Sequence, residues 1–315
     1  MKKILFFLLI ILSFNSYSRT PQPDTVKIGC YLISLHDFNF RDKEFTARFW
    51  VWFLYNNKLV DLKDQIEVPN AKTIEKTDVI IDQLDSLDWL QIKMKCTMKK
   101  SWQVADYPFD KQQLKIRIEN SKFDSRSLVF VADTVGQEYD AEMTVDGWTI
   151  TGIHATVDTS FYATAFGDPK MSNPSTAYSR YTVDIDLKRD AWGLFIKLFL
   201  GMYVAFYIAC ISFLIDNDNA EPRFGLPVGG VFAVVGNKYV IDSFLPETSE
   251  LTLVDLLHGI TLIGIFLIIF LAALSLYYYK KENYRVSKRI NIWGGTATLS
   301  IFILLNVALI LVALW

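Results

Sequence analysis

The stretch that decides the fold is "GLPVGGVFAVVGNKYVIDSFLP", residues 225–246. It is apolar enough to cross a membrane, yet it carries four glycines, Pro227 near its start, Lys238 and Asp242. Inside a helix, glycine costs about 1 kcal/mol relative to alanine. A charged side chain at the centre of a bilayer costs about 3 kcal/mol. A helix that faced only lipid would have no reason to accept both, so this segment is expected to face something else.

The second half of the chain contains three more long apolar runs. They are residues 198–215, 256–279 and 290–315. Each is long enough to cross about 30 Å of hydrocarbon as a helix. We therefore expect a four-helix transmembrane bundle over residues 190–315, with helices at about 191–215, 223–245, 252–279 and 289–315.

The first half of the chain shows the two-residue period of strands instead. Apolar and polar side chains alternate in "FTARFWVWFLY" (45–55), "LKIRIEN" (114–120) and "YTVDIDLKR" (181–189). Short alternating segments between clusters of turn-forming residues are typical of antiparallel sheets. Residues 20–189 are thus predicted to form an extracellular antiparallel β-sandwich of the immunoglobulin-like type.

The N-terminus, "MKKILFFLLIILSFNSYSRT", has the pattern of a secretory signal peptide, assigned to residues 1–19. An uncleaved anchor helix is the alternative, although the apolar run is short for one. A signal peptide places the sandwich outside, and four crossings return the C-terminus to the outside. The basic loop "KKENYRVSKR" (280–289) then lies in the cytoplasm, in agreement with the positive-inside rule.

Composition and cysteine spacing argue against several other classes of protein. The formal net charge of −2 predicts no binding to nucleic acid. Cys30, Cys96 and Cys210 do not have the spacing of a metal site, so no metal and no cofactor are expected. Cys30 and Cys96 either form a disulfide or are buried as small apolar residues. No nucleophile, base and orienting group form a recognisable set, so an enzyme is not expected.

The segment around residue 232 has glycines on one face. As a helix, it places six residues on one side, at alternating spacings of four and three: Gly225, Gly229, Phe232, Gly236, Tyr239 and Ser243. Such a face allows tight helix packing, a water-filled lumen or the broken helix of a transporter. Lys238 and Asp242 could pair along the helix. If the helix lines a lumen, Glu221 and Arg223 would mark the inner mouth of that lumen.

Four sequence features together resemble one known family. They are "ADYPFDKQQLKI" (105–116), "DGWTITG" (146–152), Arg189 just before the first membrane helix, and "FLP" (244–246). The first closely resembles the aromatic-Pro-Phe-Asp signature of pentameric ligand-gated ion channels, the Cys-loop receptor superfamily. Ser101 and Leu114 occupy the positions of the cysteines that give the superfamily its name. This departure and the short loop 280–289 are similar to the prokaryotic members.

The resemblance implies a homopentamer in a bacterial inner membrane, with the sandwich and the C-terminus in the periplasm. Membrane lipid, inorganic ions and a small-molecule agonist or proton would be its partners. The pore would be lined by the second membrane helix, through Glu221, Gly225, Gly229, Phe232, Gly236, Tyr239 and Ser243. Phe232 would occupy the gate position, and a ring of Glu221 carboxylates would favour cations. The residues that couple the two domains would be Tyr107, Pro108, Phe109, Asp110, Arg189 and Pro246.

The same resemblance indicates an agonist site between neighbouring sandwiches. Its candidate residues are mostly aromatic and could hold an organic cation through cation–π contacts: Trp50, Glu138, Tyr139, Phe161, Tyr162, Phe166 and Tyr178. Ordinary core or interface packing is the alternative for each. The function expected is a ligand-gated channel that conducts cations. The alternative is a non-conducting membrane receptor of the same fold that signals through a partner.

Overall fold

The computed structural model describes residues 22–56, 61–135, 139–140, 142–167, 169 and 175–315. The predicted signal peptide lies outside these residues. The N-terminal part is rich in sheet and resembles a β-sandwich, and four apolar helices that could cross a membrane follow it. The expected order of a sheet-rich part followed by four apolar helices is confirmed.

The described part of the N-terminal domain contains nine strands and one short helix. The strands are β1 Asp24–Asn39, β2 Glu44–Tyr55, β3 Ile66–Glu67, β4 Ala71–Leu84, β5 Leu87–Lys99, β6 Lys111–Asn120, β7 Leu128–Ala132, β8 Trp148–Tyr162 and β9 Thr176–Arg189. Helix α1, Leu62–Gln65, precedes β3. The strands form two sheets, one in the order β4-β5-β2-β1-β7 and the other in the order β3-β6-β9-β8.

The prediction of purely antiparallel sheets is wrong at one pair of strands. β7 runs parallel to β1, with Leu128 opposite Asp24 and Ala132 opposite Ile28. The chain reaches β7 after β6, which belongs to the other sheet, so β7 arrives by a crossing connection rather than a hairpin. A strand that arrives in this way is free to run parallel to its neighbour.

The predicted alternation is confirmed by burial. On β2, Phe45, Phe49 and Phe53 are fully buried. In the other sheet, the alternating apolar residues at 114–118 on β6 and 183–187 on β9 are buried as well. The two sheets therefore enclose one shared core. Removing these apolar side chains from water is the main stabilising contribution to such a fold.

The two cysteines of the sandwich are free thiols. Cys30 pairs with Val51 across β1 and β2, whereas Cys96 pairs with Ala47 across β5 and β2. Strand β2 separates them, and they are offset along it. Both are buried in the core, and this burial raises the pKa of each thiol, that of Cys96 to about 12. Of the two alternatives, the small buried apolar residue is the one observed.

The C-terminal part is helical. The first span is α2, Ala191–Cys210, extended by a 3₁₀ turn at Ile211–Leu214. The second and third spans are α3, Ala220–Asp242, and α4, Leu253–Lys280. The fourth consists of α5, Tyr284–Arg289, a π-helical segment at Ile290–Gly294, and α6, Gly295–Leu314. Four helices of this length and composition indicate a multi-pass membrane protein.

Candidate functional site

One face of α3 is buried against other helices of the same chain. Its buried residues are separated by four, three, four and seven positions, so they share one side of the helix: Arg223, Pro227, Gly230, Val234 and Ile241. A Cβ added at Gly230 would lie 3.1 Å from the carbonyl oxygen of Ala205. Glycine at this position therefore allows α3 to lie close to α2.

A polar link on the same face joins three helices. The Asn237 side-chain nitrogen donates to the carbonyl oxygen of Leu198 on α2, at 3.0 Å. Its side-chain oxygen lies 3.0 Å from Nε2 of His258 on α4. The other ring nitrogen of His258 lies 2.8 Å from the carbonyl oxygen of Val254. The buried His258 is thus hydrogen-bonded within the bundle through both ring nitrogens.

The opposite face of α3 is exposed in the single chain. It carries all six residues that the helical pattern placed together: Gly225, Gly229, Phe232, Gly236, Tyr239 and Ser243. A Cβ added at any of the three glycines would meet no atom within 4 Å. Phe232 is 74% exposed. These residues are not used for packing within the described part of the chain.

The exposed faces of the other spans have a different composition. Large apolar side chains project from α2, at Ile196 and Leu200, and from α4, at Ile263 and Phe266. Such side chains are the usual surface of a helix in contact with lipid. The glycine face of α3 also exposes Phe232 and Tyr239, but three of its six positions are glycines, which offer lipid no side chain.

Glu221 and Arg223, in the first turn of α3, were both expected at the inner mouth of a lumen, but the structure separates them. Glu221 is exposed, but Arg223 is fully buried. Arg223 donates to the carbonyl oxygen of Ile215 and to the side-chain oxygen of Asn291, each at 2.6 Å. The two residues are two positions apart, which places them on opposite sides of the helix. The Arg223 guanidinium is therefore bonded inside the bundle and forms no ion pair with Glu221.

The other end of α3 has the expected ion pair and one more. The Lys238 amine lies 2.6 Å from Asp242, one turn along the helix, and 2.8 Å from Asp255 on α4. Asp255 also closes a capping box with Thr252 at the start of α4. Lys238 thus joins two helices, so its charge is balanced by protein carboxylates.

A buried ion pair lies where the sandwich meets the helices. Arg189, at the end of β9, donates two hydrogen bonds to Asp110, at 2.6 and 3.1 Å. Its guanidinium also lies 4.0 Å from the ring centre of Trp148 and 4.9 Å from those of Tyr107 and Phe40. Such a bidentate pair within aromatic rings has a defined geometry. Burial raises the pKa of Tyr107, and the nearby Arg189 partly offsets this effect.

The loop that carries Asp110 also touches two membrane helices. Phe109 packs against Trp192 and Phe195 of α2, with ring centres 5.3 and 5.4 Å apart. The backbone of Leu253, at the start of α4, donates to Ala105 of the loop at 2.7 Å. Pro108 and Pro246 are both buried. A backbone hydrogen bond thus links this loop to the start of α4 through Leu253, which the sequence did not single out.

Three of the predicted agonist residues form an aromatic cluster near the end of β8 and the start of β9. Tyr162 lies 5.5 Å from Phe166 and 5.7 Å from Tyr178, and Phe166 lies 6.3 Å from Tyr178, between ring centres. All three contacts are edge-to-face, the arrangement that aromatic rings prefer. Phe166 and Tyr178 also line a cleft of about 480 Å³.

The charges beside this cluster are largely paired. Tyr162 donates to buried Glu119 at 2.9 Å, and Arg180 pairs with the same carboxylate. Burial and the bond to Glu119 raise the pKa of Tyr162. The cleft is lined by Lys122, Asp124 and Arg126, of which the last two form an ion pair. The cleft is polar and aromatic and does not carry an excess of free acids.

The other predicted agonist residues lie apart from this cluster. Trp50 is on β2 in the other sheet, with the amine of Lys93 5.3 Å from its ring centre. Phe161 is 75% exposed and points away from its neighbour Tyr162, because successive residues of a strand face opposite sides. Tyr139 forms an isolated bridge with Leu32. Glu138 lies outside the described residues.

The sequence did not identify Glu119, Arg180 or Asn237 as parts of these sites. Glu119 and Arg180 face each other across β6 and β9 in register, which strand alternation alone does not reveal. Asn237 lies three positions after Val234 and four before Ile241, so the helical pattern places it on the buried face of α3. That spacing was a usable signal.

Comparison with known proteins adds no further assignment. No protein-family model matches the sequence, and no curated protein matches it.

Proposed function

We propose that the chain is one subunit of a homopentameric ligand-gated ion channel, with five copies of α3 around the pore. The observation that carries this proposal is the open space beyond Gly225, Gly229 and Gly236, on the face opposite the buried one. The missing side chains at these three positions leave room for a water-filled lumen between copies of the helix. Phe232 lies at its centre, where a ring of phenyl groups would close the lumen by excluding water.

The N-terminal domain would be an immunoglobulin-like sandwich in the periplasm of a bacterium, above the inner membrane. Its edge strand β4 is exposed along almost its whole length and carries apolar residues, among them Ile80, Ile81 and Leu84. An exposed apolar edge is a typical contact surface for another protein. In the proposed pentamer, the neighbouring sandwich covers it.

The agonist, an organic molecule or a proton, would act at the cluster of Tyr162, Phe166 and Tyr178 from one subunit, with Trp50 supplied by the next. Movement there would reach the membrane through β9, which ends at Arg189. The Arg189–Asp110 pair would transmit it to the loop whose Phe109 packs on α2 and whose Ala105 is bonded to α4.

Cations would be the conducted ions. Five Glu221 carboxylates would surround one mouth of the pore, and a ring of acidic side chains favours cations. The burial of Arg223 supports this choice, because its positive charge is directed into the bundle and away from Glu221.

Current recording in planar bilayers tests the proposal with one matched pair of variants. Phe232→Ser should raise the resting conductance, since a ring of hydroxyl groups holds water where phenyl groups exclude it. Phe266→Ser is the control, because Phe266 on α4 is similarly exposed, at 64%, but belongs to a face proposed to contact lipid. The control should stay closed without agonist.

Two outcomes would contradict the proposal. If assembled Phe232→Ser oligomers stay silent, α3 does not line a pore, and the non-conducting receptor becomes the better hypothesis. If both variants conduct equally, the current reports a general leak through a damaged bundle.

A further inference from the structure

A basic face on α5 is not used by the proposed channel. The loop and helix from Lys280 to Arg289 contain five cations and a single acid, Glu282. Arg285, Lys288 and Arg289 are separated by three and four positions, so they lie on one face of the helix. All three are exposed. We call these three residues the basic face.

The opposite side of α5 is held to the bundle. Ser287 lies two positions from both Arg285 and Arg289, which places it across the helix from them. It is 1% exposed, its hydroxyl accepts from Asn217 at 3.1 Å, and it lies 2.9 Å from the hydroxyl of Ser275. Because these contacts fix the orientation of α5, the basic face is directed away from the protein interior.

No carboxylate among the described residues neutralises the basic face. None of its three side chains forms an ion pair or hydrogen bond there. In the linker that packs on α5, the residue bonded to this helix is Asn217, through Ser287 on the side opposite Arg285 and Arg289. Asp218 already accepts a hydrogen bond from Tyr279 at 2.8 Å. The three charges therefore remain available for an external anion.

The basic face also lies at the end of a membrane span. The π-helical segment that follows exposes Ile292 and Trp293, the latter at 73%. Tyr284, at the start of α5, is exposed too. Exposed tryptophan and tyrosine at a helix end mark the level of the lipid headgroups. The three cations are therefore at the depth of the lipid phosphates.

We propose that Arg285, Lys288 and Arg289 bind the phosphate of an acidic phospholipid. An arginine guanidinium offers two parallel donors to phosphate oxygens, and two of the three residues are arginines. Basic residues beside a membrane span attract acidic lipid, and each contributes about a fivefold gain in binding. This interaction requires the membrane span and depends neither on ion conduction nor on the direction of insertion.

Fluorescence quenching in vesicles tests the proposal on the full chain. The protein is reconstituted in phosphatidylcholine vesicles in which about one lipid in five is phosphatidylglycerol, brominated on its acyl chain. The fluorescence of Trp293 is isolated by subtracting that of Trp293→Phe. Brominated phosphatidylglycerol should quench it more strongly than brominated phosphatidylcholine at the same fraction.

Two double variants with equal loss of charge locate the site. Arg285→Gln with Arg289→Gln should lower the preference for the acidic lipid about tenfold or more. Lys280→Gln with Lys281→Gln, in the same loop but off the basic face, should lower it by much less. If the first variant does not fold, Arg285→Lys with Arg289→Lys replaces it, and this pair should keep most of the preference.

Three results would overturn the proposal. Equal quenching by the two brominated lipids would mean that no acidic lipid is preferred. Equal losses in the two double variants would mean diffuse attraction by the whole loop. Relief of quenching by soluble glycerol phosphate would identify a site for a free phosphate compound instead.

Discussion

The two faces of α3 make opposite use of similar residues. The buried series, from Arg223 through Gly230 to Val234, is in contact with α2 and other parts of the bundle. Each exposed residue lies two positions further along, as Gly225, Phe232 and Gly236 do. A displacement of two residues is about half a helical turn, so the same spacing is repeated on the opposite side.

This difference shows that glycines in one membrane helix can have different structural roles. Gly229 and Gly230 are adjacent, yet a Cβ would meet a backbone carbonyl at Gly230 and empty space at Gly229. At Gly230 the missing side chain allows close packing. At Gly229 it leaves room, and only a neighbouring copy, water or lipid can fill that room.

The largest effect on stability is expected at Arg223. Arg223→Met should lower the free energy of unfolding by about 3 kcal/mol, because it leaves the Ile215 carbonyl and the Asn291 side chain without their donors. Glu221→Gln, on the exposed face, should leave stability unchanged and reduce cation selectivity. Thermal unfolding in detergent and reversal potentials in asymmetric salt measure the two effects. Equal stability of the two variants would show that the buried and exposed faces of α3 do not differ in their contribution to folding.

The adjacent glycines form the next pair. Gly230→Leu should destabilise the subunit by about 2 kcal/mol, since its side chain would overlap Ala205 and Ile265. Gly229→Leu should keep the unfolding midpoint of the wild type but reduce the current, because the added side chain would narrow the proposed lumen. A matching loss of stability at Gly229 would show that this glycine also serves packing.

Two neighbouring valines give a smaller contrast. Val234 is fully buried and Val235 is 50% exposed. Val234→Ala should cost about 1.5 kcal/mol, through lost apolar contacts and the cavity left behind. Val235→Ala should change the unfolding midpoint little. The same detergent-unfolding measurement applies, and a larger loss at Val235 would mean that an oligomer buries it.

The smallest effect is expected at Lys238, between the two faces. Lys238→Gln should cost less than about 1 kcal/mol, because the amine and both of its partners are partly exposed. Asp242→Asn should cost less still, since it leaves the bond from Lys238 to Asp255 on α4 intact. Reversing this order would show that the contact within α3 matters more than the contact between helices.

Periodicity predicted the burial of the strands and the existence of four spans, because it reports which side chains must leave water. The alternation on β2 placed Phe45, Phe49 and Phe53 on one face, and all are buried. The parallel pairing of β1 with β7 was not predicted. It depends on where a distant strand arrives, and no local pattern carries that information.

The candidate sites were predictable in part. The resemblance named Arg189 and Asp110 among the residues that would couple the two domains, and the structure brings these two residues together. The aromatic candidates for the agonist site do not lie together, because Phe161 and Trp50 are not in contact with the ring cluster of Tyr162. Aromatic residues are common both in protein cores and in binding sites, so composition alone cannot assign these residues to one or the other.

The sequence by itself determined the two-part architecture and the one-sided glycine pattern of α3. Both follow from local periodicity and the cost of exposing apolar groups to water. Only the tertiary structure decided which glycine is packed and that Arg223 points inward while Glu221 stays outside. The reason is physical: the free energy of a buried charge depends on partners distant in sequence, here Ile215 and Asn291.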